Sequence, residues 1–339
     1  MSARNHHPRR PALVAGAGGF IGGHLVARLL AEGRPVRAVD VKPLDAWYQL
    51  HPSADNRRAD LALREECRRA VAGVGDVYNL AADMGGIGFI ENNRAACMLS
   101  VLINTHLLLA ARQHSADRYF YASSACVYPA YRQDDARVEP LREDMAYPAQ
   151  PEDGYGWEKL FSERMCRHFA EDFGMTVRVA RFHNVYGPHG SWDDGREKAP
   201  AALCRKVARA VRDGADEIEL WGDGSRTRSF MYIDDCVEGI GRIMESDVAR
   251  PLNLGTGELV TVSGLARMIE DIAGRRLSHR HDLSAPQGVH GRNSDNATIR
   301  AALGWEPRIP LAEGLRPTYA WIAERVRQES ATPVPVRGA

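Results

Sequence analysis

The feature that most limits what this chain can fold into is the cluster Gly16-Ala17-Gly18-Gly19-Phe20-Ile21-Gly22. It follows a short apolar run, Pro11–Ala15. It opens an amphipathic stretch, Phe20 to Glu32, that ends at Gly33. Apolar run, glycine turn and helix make the first half of a βαβ unit. Glycines permit the tight turn and let backbone N–H groups approach a pyrophosphate, which the partial positive charge of the helix N-terminus favours. A second strand pattern, Arg34–Asp40, ends in an acid. A carboxylate at that point accepts hydrogen bonds from adenosine ribose hydroxyls and repels a 2′-phosphate, so Asp40 favours NAD over NADP as cofactor. Asp60 is placed to approach the adenine edge.

Further strand patterns lie at Asp76–Ala82, Arg118–Ala125 and Met175–Asn184, with helical patterns at Leu63–Val71, Asn92–Arg112 and Asp153–Phe173. The alternation implies an α/β fold, a Rossmann-like doubly wound parallel sheet with helices on both faces. After Tyr186-Gly187-Pro188 the pattern loosens. A polar loop runs from Gly187 to Pro200. Helices are expected near Ala201–Arg212, from Asp234 to Glu245, near Ser263–Ala273 and near Leu311–Arg327. Short strands are expected at Glu217–Trp221, Thr227–Ile233 and Pro251–Gly255. This predicts a smaller C-terminal α/β substrate-binding domain. The expected division is 11–183 plus about 228–256 for the cofactor domain, and about 184–227 plus 257–328 for the other. Residues 1–10 and 330–339 read as flexible tails.

Composition narrows the function. Lys+Arg and Asp+Glu are both 44, and a zero balance argues against a nucleic-acid or anionic-membrane surface. Only four of the basic residues are lysines, at 42, 159, 198 and 206. A lysine that survives in so arginine-rich a chain is a candidate for a task needing a compact, titratable ammonium. The six cysteines (67, 97, 126, 166, 204 and 236) show no metal-site spacing, so no metal is expected. Met1 to Pro11 has no apolar segment of the secretory kind, and no apolar run reaches about 18 residues. A cytoplasmic protein without a membrane span is expected.

Tyr155-Gly156-Trp157-Glu158-Lys159 puts a phenol and an ammonium on one helical face. The ammonium is expected to lower the Tyr155 pKa. With Ser124 at a strand end upstream, the set resembles the Ser-Tyr-Lys constellation of the extended short-chain dehydrogenase/reductase superfamily. Asn79-Leu80-Ala81-Ala82, Arg181–Pro188 (RFHNVYGP) and Trp221-Gly222-Asp223-Gly224 resemble its nucleotide-sugar branch. Asn79–Ile90 (NLAADMGGIGFI), Tyr121–Pro129 (YASSACVYP), Gly195–Ala201 (GREKAPA), Gly222–Phe230 (GDGSRTRSF) and Gly291–Asn296 (GRNSDN) resemble the GDP-mannose 3,5-epimerase family in particular, from about Leu13 to Arg325. The chain departs from that family at Pro43–Arg58, at Asp213–Glu217 and in both tails.

The resemblance implies an NAD-dependent isomerase acting on a nucleotide sugar, GDP-mannose, with L-galactose- or L-gulose-type products. Tyr155, Lys159 and Ser124 would oxidise and re-reduce sugar C4. In this superfamily the residue two after the serine faces the sugar. An Asp-Glu pair occupies the positions after the serine or threonine in 4,6-dehydratases, whereas here they hold Ala125-Cys126. Cys126 and Lys198 would move the protons at C3 and C5, and which is acid and which is base at each carbon stays open. The resemblance assigns Gly16, Gly19, Phe20, Ile21, Gly22, Asp40, Asp60, Leu80, Ala81 and Ala82 to the cofactor, together with Tyr155 and Lys159. It assigns Gly85, Gly86, Ser124, Ala125, Cys126, Asn184, Glu197, Lys198, Ala199, Lys206, Arg226, Arg228 and Arg292 to the substrate. It also implies a homodimer built from the helices near Asn92–Arg112 and Asp153–Phe173. The competing readings are a 4- or 5-epimerase acting on another nucleotide sugar, a heptose included, and a non-catalytic NAD-binding regulator.

Overall fold

The computed structural model describes residues 10–331. The expected tail residues 1–9 and 332–339 lie outside them. Arg10 hydrogen-bonds the Ser115 carbonyl at 3.0 Å, and residues 330–331 continue the last helix.

The glycine turn joins strand β1 (Ala12–Ala15) to helix α1 (Phe20–Ala31). Strands β2 (Val36–Asp40) and β3 (Asp55–Arg58), helix α2 (Arg64–Val71) and strand β4 (Asp76–Asn79) follow. Then come α3 (Ile87–Asn92), α4 (Arg94–Gln113), β5 (Arg118–Ser124), α5 (Tyr155–Phe173) and β6 (Val177–Phe182). The chain continues through β7 (Asn184–Tyr186), α6 (Ala199–Asp213), β8 (Glu217–Trp221), β9 (Thr227–Tyr232), α7 (Ile233–Glu245) and β10 (Leu252–Leu254). It ends with β11 (Leu259–Thr261), α8 (Val262–Ala273), β12 (Ser278–Asp282), β13 (Gly291–Arg292), α9 (Ala297–Leu303) and α10 (Leu311–Ala331).

Seven strands form one parallel sheet in the order β10-β6-β5-β4-β1-β2-β3. Side chains alternate across a strand, and β1 shows the result. Val14 joins the apolar cluster that includes Leu25 and Leu29 of α1 and Ile240 of α7. Leu13 and Ala15 join Val71 of α2, Leu107 and Leu108 of α4 and Cys166 of α5 on the other face. Both faces are covered, as a doubly wound parallel sheet requires. The strand order reverses between β1 and β4. In such sheets the ligand crevice opens there, beyond the carboxyl ends of the strands.

Beside this sheet, β9 pairs with β11, β13 and β7, and β8 pairs with β12. Strand β9 therefore lies in the smaller sheet, although residues from about 228 onward are expected with the larger one. Its apolar Phe230, Met231 and Tyr232 are equally at home in either. The sequence reading has no counterpart for β3 (DNRR) and β12 (SHRHD), because an edge strand with solvent on one side needs no apolar alternation. One expectation needs correcting. Among the described residues α4 is long and apolar enough to cross a membrane, by length and composition only. It is a packed helix, with Cys97, Ser100, Asn104, Leu107 and Leu108 buried against neighbouring elements.

Candidate active site

The turn after β1 is built by its glycines. Gly16 has φ +85°, and a Cβ there would lie 2.9 Å from the Ala81 nitrogen. A Cβ on Gly22 would come within 2.1 Å of the Gly16 carbonyl oxygen. The Gly16 contact draws the turn against Leu80 and Ala81 after β4, and the Gly22 contact closes the turn on itself; Phe20 packs beside Gly187 and Gly190. No acidic side chain occupies the first turn of α1. Asp40 is tied directly into the turn. One of its oxygens accepts the Gly18 N–H and the other the Lys42 N–H, both at 3.0 Å. The Lys42 ammonium returns a hydrogen bond to the Gly18 carbonyl at 2.9 Å. Asp60 is exposed and accepts the Ala62 N–H at 2.9 Å. A glycine cradle that any Cβ would fill, at a helix N-terminus, with a carboxylate at the end of β2, fits a dinucleotide.

Strand β5 delivers the next group. Ser124 ends it, and its hydroxyl accepts the Cys126 N–H at 3.2 Å, which shapes the single turn Ala125–Val127. Helix α5 starts at Tyr155, so Tyr155 and Lys159 sit one turn apart at the same crevice, both buried. The Lys159 ammonium lies 5.5 Å from the Tyr155 ring centre and 4.8 Å from that of Tyr121. It also lies 3.6 Å from the Glu158 carboxylate. Glu158 is buried and accepts the Tyr121 hydroxyl at 3.1 Å and the Ser162 hydroxyl at 2.8 Å.

This corrects the expected direction of the Tyr155 pKa. Burial drives it well above the ordinary tyrosine value. Cys126 and Glu158 add to that, and the hydrogen bond with Ser124 opposes it. Desolvation outweighs one ammonium whose charge is shared with a carboxylate. The sequence carried a signal for Glu158, which directly precedes Lys159.

The sugar-side residues come from separate elements. Lys198 stands immediately before α6. Burial pulls its ammonium down from the ordinary lysine value, Cys126 pulls it up, and Arg292 pushes it down again. Arg292 on β13 is buried and divides its guanidinium three ways. Nε donates to Gln133 Oε1 at 2.6 Å, Nη1 to Cys126 Sγ at 3.6 Å, and Nη2 to Glu152 Oε1. Cys126, Lys198, Arg292 and Glu152 thus form one cluster. The sequence reading missed Glu152. Its only signal is a position three residues before Tyr155, and the arginine it meets is 140 residues away.

Arg228 on β9 is different. It donates to the carbonyls of Thr227 at 2.7 Å, Val289 at 2.6 Å, Gln287 at 3.2 Å and His290 at 3.4 Å, so its polar partners are all uncharged carbonyls. Burial, then the charge of Arg292, lowers its pKa from the ordinary arginine value. An arginine keeps its proton in a protein, so Arg228 is a half-buried cation held by carbonyls. Arg226 bonds Gln287 Oε1 at 2.8 Å and the Gly288 carbonyl. The Asn184 amide donates to the Ser229 carbonyl at 3.2 Å.

Other expected site residues make protein contacts of their own. Lys206, two turns beyond Lys198, donates to the Glu219 carbonyl at 2.9 Å. A Cβ on Gly86 would come 2.6 Å from the Glu197 carbonyl, and the Gly86 N–H bonds the Arg196 carbonyl at 3.0 Å. A Cβ on Gly85 would meet Phe89 and the Arg196 backbone. These two glycines let the loop after β4 touch the loop that carries Lys198. Glu197 pairs with Arg205 at 2.5 Å, and Ala199 opens α6.

Comparison with known proteins gives the family and the fold. Residues 12–255 match the model of the NAD dependent epimerase/dehydratase family. GDP-mannose 3,5-epimerase 1 of Oryza sativa subsp. japonica is 45% identical over 326 residues, covering 96% of this chain and 85% of the rice protein. The UDP-glucose 4-epimerase of Thermotoga maritima, solved with UDP-glucose, shares the fold at a TM-score of 0.82 and 24% identity, covering 93% of this chain and 99% of that one. MoeE5, solved with UDP-glucose and NAD, is 28% identical with a TM-score of 0.77, covering 95% of this chain and all (100%) of its own.

Proposed function

The chain belongs to the NAD dependent epimerase/dehydratase family, and we propose that it is an NAD-dependent GDP-mannose 3,5-epimerase. The observation that carries this reading is the Cys126–Lys198–Arg292 cluster beside the Ser124, Tyr155 and Lys159 groups. A 4-epimerase needs only the latter set.

Bound NAD supplies a reversible hydride acceptor for sugar C4. Tyr155 Oη takes the C4 hydroxyl proton as a phenolate, a form whose burial cost the Lys159 ammonium and the positive charge of an oxidised nicotinamide would offset; it later returns that proton, with Ser124 holding the oxygen. The C4 ketone acidifies the protons at C3 and C5, since each carbanion is an enolate. Cys126 and Lys198 exchange those protons on opposite ring faces. Arg228 and Arg292 hold the diphosphate and sugar oxygens through charge-assisted hydrogen bonds. The remaining substrate assignments are Asn184, which bonds Ser229 next to Arg228, Arg226, which bonds Gln287 as Arg228 does, and Lys206, which bonds Glu219.

We propose further that two copies associate through α4 and α5, where Leu99, Met98, Leu102, Phe161 and Trp157 are exposed apolar residues on adjoining helices. That would account for the apolar face α4 does not bury in its own chain. A cytoplasmic location is supported by the free thiols Cys67, Cys97, Cys126, Cys166, Cys204 and Cys236. We also propose a cofactor domain and a sugar domain meeting at this crevice, with β9 going with the smaller sheet.

The decisive experiment is turnover of GDP-mannose in D₂O with NMR of the recovered sugar. The expected result is deuterium at C3 and C5 and none at C4, where hydride returns internally. Inversion at C4 without deuterium at C3 or C5 overturns the reading in favour of a 4-epimerase. A protein that leaves every nucleotide sugar unchanged would favour the regulator.

A further inference from the structure

We propose that Glu152 is a positioning residue that holds Arg292 and thereby sets the pH at which Cys126 gives up its proton. The proposal rests on Cys126 being the proton-transfer group of the reaction above. Glu152 is fixed from two directions. Its backbone N–H donates to the Cys126 carbonyl at 3.0 Å. Its carboxylate takes Nη2 of the buried Arg292, whose Nη1 reaches the Cys126 sulfur at 3.6 Å. Gln133 fixes the third side of the guanidinium at 2.6 Å. One guanidinium is therefore shared between a carboxylate and a thiol that is anionic in only one of its states.

The consequence is electrostatic. Among the described residues, charged and titratable groups reach Cys126 from several elements. Lys198 reaches it from the start of α6, Arg292 from β13 and Arg228 from β9. Tyr155 reaches it from α5, Cys97 from α4 and Glu152 from the segment before α5. The Ser124 hydroxyl completes the set. The cations favour thiolate, whereas Glu152 disfavours it twice, by like charge and by occupying part of Arg292. Burial is the largest influence raising the thiol and Glu152 the next, with Arg292, Ser124 and Lys198 opposing. Without the carboxylate, the full positive charge of Arg292 would fall on the sulfur. Glu152 thus keeps the thiol protonated further up the pH scale, so that Cys126 can both lose and regain a proton in one turnover.

The test is the thiolate ultraviolet absorbance of Cys126, taken as the difference between each protein and its own Cys126→Ala version across pH. The proteins are the full chain as purified, Glu152→Gln and Glu152→Asp. Glu152→Gln keeps the shape and the hydrogen bond to Arg292 but removes the charge. Its thiol midpoint should fall by about one unit, roughly a tenfold gain in thiolate at fixed pH. Glu152→Asp keeps the charge and should titrate close to the parent. In Glu152→Gln the thiolate-dependent limb of the kcat/KM profile for GDP-mannose should move the same way. An unmoved or raised midpoint in Glu152→Gln overturns the proposal, as does Glu152→Asp shifting as far as Glu152→Gln. The thiol titration needs no substrate. A chain that fails the deuterium experiment yet shows the shift would lose the epimerase reading and keep the Glu152–Arg292–Cys126 linkage.

Discussion

The cofactor side and the sugar side of the crevice solve the same problem, placing charge where water is scarce, in different ways. On the cofactor side each charge has a local answer. Asp40 is held by the N–H groups of Gly18 and Lys42, and Lys159 stands beside Glu158, its neighbour in sequence. On the sugar side the charges meet across the chain. Arg292 joins Gln133, Glu152 and Cys126 over separations of 140 residues and more. Arg228 bonds carbonyls directly and meets the Glu152 charge only at a distance. The first arrangement pairs each charge with a close partner, whereas the second leaves Arg228 without a carboxylate bonded to it. A half-buried cation held only by carbonyls is less well compensated than one bonded to a carboxylate.

This contrast can be broken by separating hydride chemistry from proton chemistry. Tyr155→Phe on the cofactor side should stop both NAD reduction and all deuterium exchange, whereas Cys126→Ala on the sugar side should stop only the exchange. Each loss should be on the order of 10²–10⁴ in rate. The check is absorbance of the reduced nicotinamide beside NMR of the sugar. Exchange at C3 or C5 by Tyr155→Phe would show that the C4 ketone is not the intermediate.

A smaller effect sharpens the assignment of the unbalanced cation. Arg228→Ala should weaken GDP-mannose binding by about 1.5–3 kcal/mol, roughly ten- to a hundredfold in KM, with kcat changed less. Isothermal titration with GDP alone should show the same loss. Equal binding of GDP by the parent and the variant would remove Arg228 from the diphosphate site.

The least effect is expected at the seam between the two regions, where β6 gives way to β7. His183 sits there, fully buried, with Nε2 donating to Asn253 Oδ1 at 3.4 Å. Burial, then Arg292, lowers its pKa from 6.5 to about 3. The folded protein holds this ring neutral while the unfolded chain protonates it below about pH 6.5. Its contribution is therefore complete above that pH and is lost as pH falls, by about 1.4 kcal/mol per unit. His183→Gln should remove about 2 kcal/mol of the stability lost between pH 6.5 and pH 5, as read from urea unfolding. An unchanged acid limb would mean that His183 is not the group that titrates.

Features that depend on neighbours along the chain can be read from residue order. The β1–α1 turn is legible because Gly16 and Gly22 are required by contacts within and beside a single turn. Tyr155 and Lys159 are legible because one helical turn brings them together. The parallel sheet is legible because apolar runs alternate with amphipathic helices. Lys198 stood out because lysine is rare here. Folding supplied the rest, by bringing together groups from afar. It placed β9 in the smaller sheet, and it added β3 and β12, whose polar residues suit an edge and carry no alternation. It set the Tyr155 pKa above the ordinary value, because burial depends on everything packed around a residue and not on the lysine one turn away. It also brought Glu152 to Arg292 and Arg292 to Cys126. A strength of attraction that falls with distance in space leaves no periodic trace in the order of residues, so only the folded chain reveals it.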